Sequence, residues 1–351
     1  MKFDYCIGNP PYQEEQVSED METSLKNYAP PVYDKFIDAA NEVATKVELI
    51  HPARFLFNAG STPKSWNEKM LQDKHFKVMQ YESNSNNVFP GLSVPLKGGV
   101  AITYHDSGKD FGAIQVFSQY PEANTISHKV VSKEGFVSFA DIVYSRTAYR
   151  LTDKMHQDYP NAINKVSTGH AYDMSSNIFE RLPDIFHDNP VSDGKKYVRI
   201  LGREDNRRVY KYIRRDYIND VDNLMCYKVL VPQANGNGLF GETISGYLIE
   251  EPGTGNTETF ISIGKFKKKA DAERLIKYIK TKFARMLLSL LKVTQNGNKP
   301  VWKMIPLQDF TGKSDIDWSK PIADIDRQLY KKYGLTDEEI TFIETKVKEM
   351  E

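Results

Sequence analysis

The chain has 351 residues, 40% hydrophobic and 12% aromatic, and its 47 basic and 47 acidic residues cancel. That length exceeds one ordinary core, so more than one domain is expected, while a mean hydropathy of −0.54 and the lack of a long apolar run argue against a membrane protein. Cys6 and Cys226 are the only cysteines, too few for a disulfide framework or a metal set, and read as reduced thiols of a cytoplasmic protein.

In chain order, Phe3, Tyr5 and Ile7 alternate with Asp4, Cys6 and Gly8, the period of a short strand. Gly8 permits a tight exit into Asn9-Pro10-Pro11-Tyr12, a stiff turn with two fixed φ angles and two missing donors. The start does not read as a signal peptide, because Asp4 and Gly8-Asn9-Pro10-Pro11 interrupt it. Residues 13–29 are polar and irregular, a loop of the kind that covers a substrate. Pro30 and Pro31 open a helix over 32–40, and 47–52 reads as a strand. Short helical pieces follow at 53–57 and 63–71, then strands at 76–81 and 97–104 with a loop at 84–87 between them. Strands alternating with helices indicate a doubly wound α/β sheet, in which ligands lie beyond the carboxyl ends of strands.

From about residue 111 the texture changes to short strands, aromatics and scattered Lys and Arg, a mixed α+β pattern. Strands are expected at 225–232 and 259–264, a long amphipathic helix at 271–291, and charged helices at 324–333 and 336–350. The implied division is 1–110, 111–320 and 321–351.

The turn after the first strand carries the most specific chemistry. An exocyclic amine conjugated to a base ring is a poor nucleophile. If the Asn9 amide oxygen and the Pro10 carbonyl hold its two hydrogens, the nitrogen can move toward tetrahedral geometry and present its lone pair to an electrophilic methyl group. Tyr12 can stack on the base, since enzymes that modify a base first take it out of the helix. The plainer alternative is an Asn-Pro turn ending an edge strand.

With these residues in view, the chain resembles the adenine-specific (N6) DNA methyltransferases of bacterial restriction–modification systems, in the branch that carries its target-recognition domain after the catalytic core. The resemblance rests on residues 3–12, Leu49-Ile50-His51-Pro52-Ala53-Arg54-Phe55, the stretch 88–100, Thr257-Glu258-Thr259-Phe260 and Pro306-Leu307-Gln308-Asp309-Phe310. It implies that Asn9 and Pro10 hold the adenine amine, with Pro11 completing the turn and Tyr12 stacking on the base. It also implies that Phe89 is a second aromatic on the far side of the base, the alternative being a core Phe in a loop. S-adenosylmethionine is the implied cofactor and double-stranded DNA the implied partner.

One departure is large. Such enzymes begin with strands that carry the cofactor site, a Gly-rich turn and an acidic residue, whereas this sequence starts at the strand that comes fourth in the family. The expected sheet is therefore a partial doubly wound one, with the cofactor half on a partner chain or in a missing portion. Residues 251–257 have some likeness to the Gly-rich turn, but 258–266 alternates like a strand where a cofactor turn must open a helix, so a hairpin turn is the expectation there.

Lys228, Asn235, Asn237, Lys267, Lys268, Gln295, Asn296, Asn298 and Lys299 lie at expected strand and loop ends of the second part. Lysines there suit phosphate contacts and the amides suit base edges, solvated loops being the alternative. The seven histidines show no metal-ligand spacing, and no nuclease pattern is evident. Alternatives to a methyltransferase are a non-enzymatic DNA-binding specificity subunit and a protein glutamine methyltransferase. The length of chain beyond the sheet counts against the last.

Overall fold

The computed structural model describes residues 2–14, 30–91 and 96–350, and the chain divides into two units, Met1–His128 and Lys129–Glu351. Most of the loop expected at 13–29, and part of the 88–100 stretch, lie outside the described residues.

In the first unit, β1 (Phe3–Gly8) is followed by α1 (Tyr33–Val43) and by β2 (Ala44–Pro52), which pairs with β1 in parallel. Helix α2 (Lys64–Gln72) leads to β3 (Phe76–Glu82), and β4 (Val100–Asp106) inserts antiparallel between β2 and β3. The order is β1-β2-β4-β3, so the sheet is mixed. A parallel return after β3 would need a crossover, usually a helix. The described part of 83–99 holds only the 3-10 turn Ser85–Asn87, and β4 runs back against its neighbours.

Helix α1 turns Tyr33, Ile37 and Ala40 onto Val47 and Leu49 of β2, with Phe55, Trp66, Met70 and Phe76 completing this core. Each of the large apolar side chains among them, such as Ile37, Val47, Leu49 and Phe55, contributes about 1.5–3 kcal/mol on full burial. Cys6 of β1 leans on the same core. Phe3, Tyr5 and Ile7 point the other way and are 71%, 61% and 75% exposed. The period-two pattern of β1 thus marks a strand whose apolar side is its bare side, and β1 is an end strand among the described residues.

Helix α3 (Pro121–Val131) and the short helices α4 (Asp153–Asp158) and α5 (Ile178–Arg181) precede a hairpin of β5 (Tyr197–Glu204) and β6 (Arg207–Arg214). In the second unit, β7 (Tyr227–Pro232) pairs with β8 (Leu248–Glu250), β9 (Thr254–Asn256) joins β5 in parallel, and β10 (Phe260–Phe266) returns to β7. The hairpin expected at 251–257 is therefore not formed. Glu250 ends a strand of one sheet and Thr254 begins a strand of another, with the Arg199 amide bonded to the Gly253 carbonyl at 2.9 Å.

The helix expected over 271–291 is two, α6 (Lys269–Lys280) and α7 (Lys282–Ser289). Thr281 breaks them: its ψ is 146°, and its hydroxyl accepts from the Ala284 amide and donates to the Tyr278 carbonyl. A threonine side chain that caps a helix offers the backbone an alternative to continuing it. Asp326 of α8 (Ile322–Lys332) also accepts from the Lys282 and Phe283 amides. Helix α9 (Asp337–Lys346) opens with a capping box of Thr336 and Glu339. No helix of the described residues is long and apolar enough to cross a membrane, and no metal-ligand cluster occurs among them.

Candidate functional site

Strands β1, β2 and β3 all point one way, and β4 begins where they end. Their carboxyl ends therefore release Asn9, Ala53 and Ser83 along one rim, to which the chain returns at Gly99. This arrangement brings together segments far apart in sequence.

The turn after β1 is anchored from behind. The Tyr12 carbonyl accepts from the Val32 amide at 3.2 Å, the Glu14 amide donates to the Pro30 carbonyl at 3.1 Å, and Gln13 bridges to Pro31. Asn9 and Pro11 are exposed, Pro10 and Tyr12 half-buried. Among the described residues no donor or acceptor engages the Asn9 side-chain amide, and no donor reaches the Pro10 carbonyl. Two acceptors on a turn of fixed φ are thus without a partner among the described residues.

Tyr12 and Phe89 meet there, with ring centroids 6.4 Å apart and planes at 60°. That is an ordinary tilted aromatic contact, and a base entering between the rings would have to turn one aside. The Tyr12 hydroxyl is buried without a partner among the described residues, and burial pushes its pKa up to about 12. Phe89 is held by its amide to the Ser85 carbonyl at 2.8 Å. The hydroxyl of buried Ser85 takes the Leu96 amide at 2.8 Å. Gly99 closes the rim at φ +77°, where an added Cβ would sit 2.3 Å from the Glu82 carbonyl oxygen. Only glycine fits so close an approach.

Behind the rim, His51 of β2 is fully buried, stacks on Tyr33 at 5.9 Å and shares a 2.7 Å hydrogen bond with Thr103. Burial lowers its pKa to about 4, so it is a neutral spacer that fixes β2 against β4.

The implied cofactor fits none of the described residues. Its site needs a Gly-rich turn that opens a helix. The segment with some likeness is strand β9, whose Gly255 packs against Ile200 and Tyr149 and is followed by β10.

The structure splits the DNA-contact candidates. Asn235, Gln295 and Asn296 come together: the Asn235 amide donates to the Gln295 carbonyl at 2.8 Å, and Ala234 bridges to Asn296. Asn237 and Lys299 lie on the same two exposed loops. The Asn235 side chain, however, is turned inward onto both polar groups of the Ser245 backbone, and Asn296 and Asn298 accept from Gln233. Lys267 and Lys268 are exposed but follow Phe266, which pairs with Tyr227, whereas the amide loops follow Pro232, which pairs with Phe260. The two groups sit at opposite ends of one strand pair.

Lys228 is corrected. It is fully buried, its ammonium donates to the Leu224, Cys226 and Thr254 carbonyls at 3.3, 3.0 and 2.7 Å, and burial lowers its pKa to about 8. It has no face to offer a phosphate.

Sequence reasoning passed over a basic ribbon. Beyond Leu201, β5 and β6 extend past β9 as a two-stranded projection with Arg203 opposite Arg208 and Glu204 opposite Arg207. Its tip is Asp205-Asn206, both at positive φ (49° and 62°). The signal was present, an Asp-Asn pair between alternating runs.

The Eco57I restriction-modification methylase family model matches residues 1–89. Curated proteins yield no match. Among solved structures, the type IIG restriction endonuclease BpuSI aligns at 8% identity and TM-score 0.32, over 92% of this chain and 48% of that one. The type IIL restriction-modification enzyme MmeI, solved in complex with DNA, aligns at 10% identity and TM-score 0.29, over 98% of this chain and 56% of that one. The chain spans about half the length of these structures, and TM-scores this low do not establish a shared fold.

Proposed function

We propose that this chain supplies the base-holding and DNA-reading parts of a site-specific DNA adenine-N6 methyltransferase of a restriction–modification system. The observation that carries the reading is the rim itself: an Asn9 amide and a Pro10 carbonyl without partners among the described residues, on the same turn as Tyr12 of the Tyr12–Phe89 pair, in a segment matched by a methylase family. A flipped adenine offers two amine hydrogens to those acceptors and a ring face to Tyr12, with Phe89 on its other side. Held so, the amine keeps its lone pair outside the ring's π-system and directed at a methyl donor.

This reading assigns residues 1–110 to the catalytic portion, 111–320 to target recognition and 321–351 to closing helices. The basic ribbon of β5 and β6 suits a groove, since a two-stranded ribbon fits the major groove of duplex DNA. The exposed loops carrying Asn237, Gln295, Asn296 and Lys299, and separately Lys267 and Lys268, suit phosphate and base-edge contacts.

S-adenosylmethionine, the donor that methylases use, has no site among the described residues. A further chain or segment holding it would pair with the end strand β1, covering Phe3, Tyr5 and Ile7. The same observation favours a second reading, a specificity subunit that binds DNA and keeps the turn without turnover.

The test is N6-methyladenine formation in mixed-sequence DNA with S-adenosylmethionine. The protein is assayed alone and with the product of the neighbouring gene, wild type against Asn9→Ala. Methylation at one sequence context, lost in Asn9→Ala, is the expected result. Methylation that survives Asn9→Ala, or that falls on cytosine, contradicts it.

A further inference from the structure

Arg54 is the first residue of the 3-10 turn Arg54–Phe57 that follows β2, on the rim that releases Asn9. Its surroundings are built to hold its stem. Gly98, at φ +86°, lies so close that an added Cβ would be 2.5 Å from the Arg54 Cγ, and one on Gly60, at φ +89°, would be 3.2 Å from the Arg54 Cβ. Positive φ at both places is available to glycine at little cost. The backbone on either side is pinned: the Ala53 amide donates to the Gly99 carbonyl at 3.0 Å, and the Arg54 carbonyl accepts from the Ala59 amide at 3.1 Å.

The guanidinium at the end of this clasped stem is exposed and has no hydrogen bond or ion pair among the described residues. Lys97, next to Gly98, is likewise exposed and unpaired. Some arginines elsewhere in the chain do find carboxylates: half-buried Arg215 pairs with Asp220 at 2.6 Å and exposed Arg150 with Asp173 at 3.4 Å. Holding a long side chain's stem reduces the rotamer entropy lost when its head binds.

Resting on the adenine reading above, we propose that Arg54 is a phosphate-binding residue that grips the backbone of the DNA strand whose base enters the turn, with Lys97 as a second cation on the same strand. A flipped nucleotide stays tied to its phosphates, so a base seated against Tyr12 brings phosphates to this rim. A guanidinium offers them a two-pronged hydrogen bond. Arg54 is a positioning residue: it fixes the nucleotide's backbone and leaves the amine to Asn9 and Pro10.

The experiment measures affinity for a mixed-sequence duplex carrying an adenine opposite an abasic site, across a salt series, for wild type, Arg54→Gln, Arg54→Lys and Lys109→Gln. Each phosphate contact contributes about 0.9 to the slope of log affinity against log salt. Arg54→Gln is expected to flatten the slope by about that amount and to weaken binding about tenfold at low salt, the share of a charge-assisted hydrogen bond. Arg54→Lys is expected to keep the slope and lose part of the affinity, a point charge replacing a fork. Lys109→Gln, at the other end of the sheet, is the control that should change neither. Circular dichroism melts confirm that each variant folds. An unchanged slope in Arg54→Gln, with wild type binding well, overturns the inference and leaves the adenine reading standing. Duplex binding absent even from wild type at low salt overturns both.

Discussion

Replacing Tyr12 separates its ring from its hydroxyl, and the structure gives the two different roles. The hydroxyl is buried with no partner among the described residues, so Tyr12→Phe removes a desolvated polar group and breaks no hydrogen bond to any of them. Leaving such a group unpaired costs roughly 1–3 kcal/mol, and the variant should be as stable as wild type or more so. Tyr12→Ala removes the ring. It forfeits the 6.4 Å contact with Phe89, and in the bound state a base–aromatic stack worth about 1–3 kcal/mol, a loss of roughly 5- to 150-fold in affinity. The assay is fluorescence anisotropy with a duplex carrying an adenine opposite an abasic site, alongside urea melts of the free protein. Tyr12→Phe should match wild type in binding, and Tyr12→Ala should fall by the stacking amount. Equal losses in both variants would refute stacking and point to a hydrogen bond from the hydroxyl that forms only with DNA.

His51 has a folded pKa of about 4 against an unfolded value of 6.5. The unfolded chain therefore takes up its proton first, and the stability His51 confers is whole above pH 6.5 and falls as pH drops toward 4. That loss amounts to up to about 3 kcal/mol, and urea titrations of wild type and His51→Gln should converge over this window; parallel curves would contradict it. Lys228→Met should lower stability by about 1–3 kcal/mol, because carbonyls lose their buried donor, and should leave the salt slope of DNA binding unchanged; a flatter slope would return Lys228 to the phosphate contacts. Thr281→Ala should cost about 1 kcal/mol through the lost cap of α7, and unchanged thermal melts would mean that Asp326 alone sets the helix break.

The first unit was legible in sequence because its signals are local. Alternation in β1, the paired prolines before α1 and the helical spacing of Tyr33, Ile37 and Ala40 each act within a few residues, and the elements formed near where expected. The direction of β4 was not legible, since pairing partners are set by what connects them across space. The resemblance implies that Phe89 lies across a base from Tyr12, whereas the direct, tilted contact of the two rings depends on packing that no spacing encodes.

Errors in the second unit have a common origin. Lys228 sits in a six-residue strand beside apolar neighbours, and a lysine at a strand's start ordinarily reaches water. Here three carbonyls, one of them Thr254 from 26 residues away, draw its ammonium inward. Residues 251–257 suggest a hairpin because 258–266 alternates like a strand, yet the strands on either side of the Pro252–Gly253 turn enter different sheets. Gly255 instead serves close packing between β5 and Tyr149. The apolar spacing of 271–291 continues across Thr281, and only its capping bonds reveal the break.

The central claim is that Asn9, Pro10 and Tyr12 receive the amino group and ring of an adenine. It is tested most directly by nuclear magnetic resonance, titrating the protein with adenosine, N6,N6-dimethyladenosine and purine riboside. Adenosine should shift the Asn9 side-chain amide signals and the Tyr12 and Phe89 ring signals. The two analogues, which lack amine hydrogens to donate, should move the rings alone and bind more weakly. Equal shifts of the Asn9 amide by all three nucleosides, or no shift at the turn with any of them, would contradict the account.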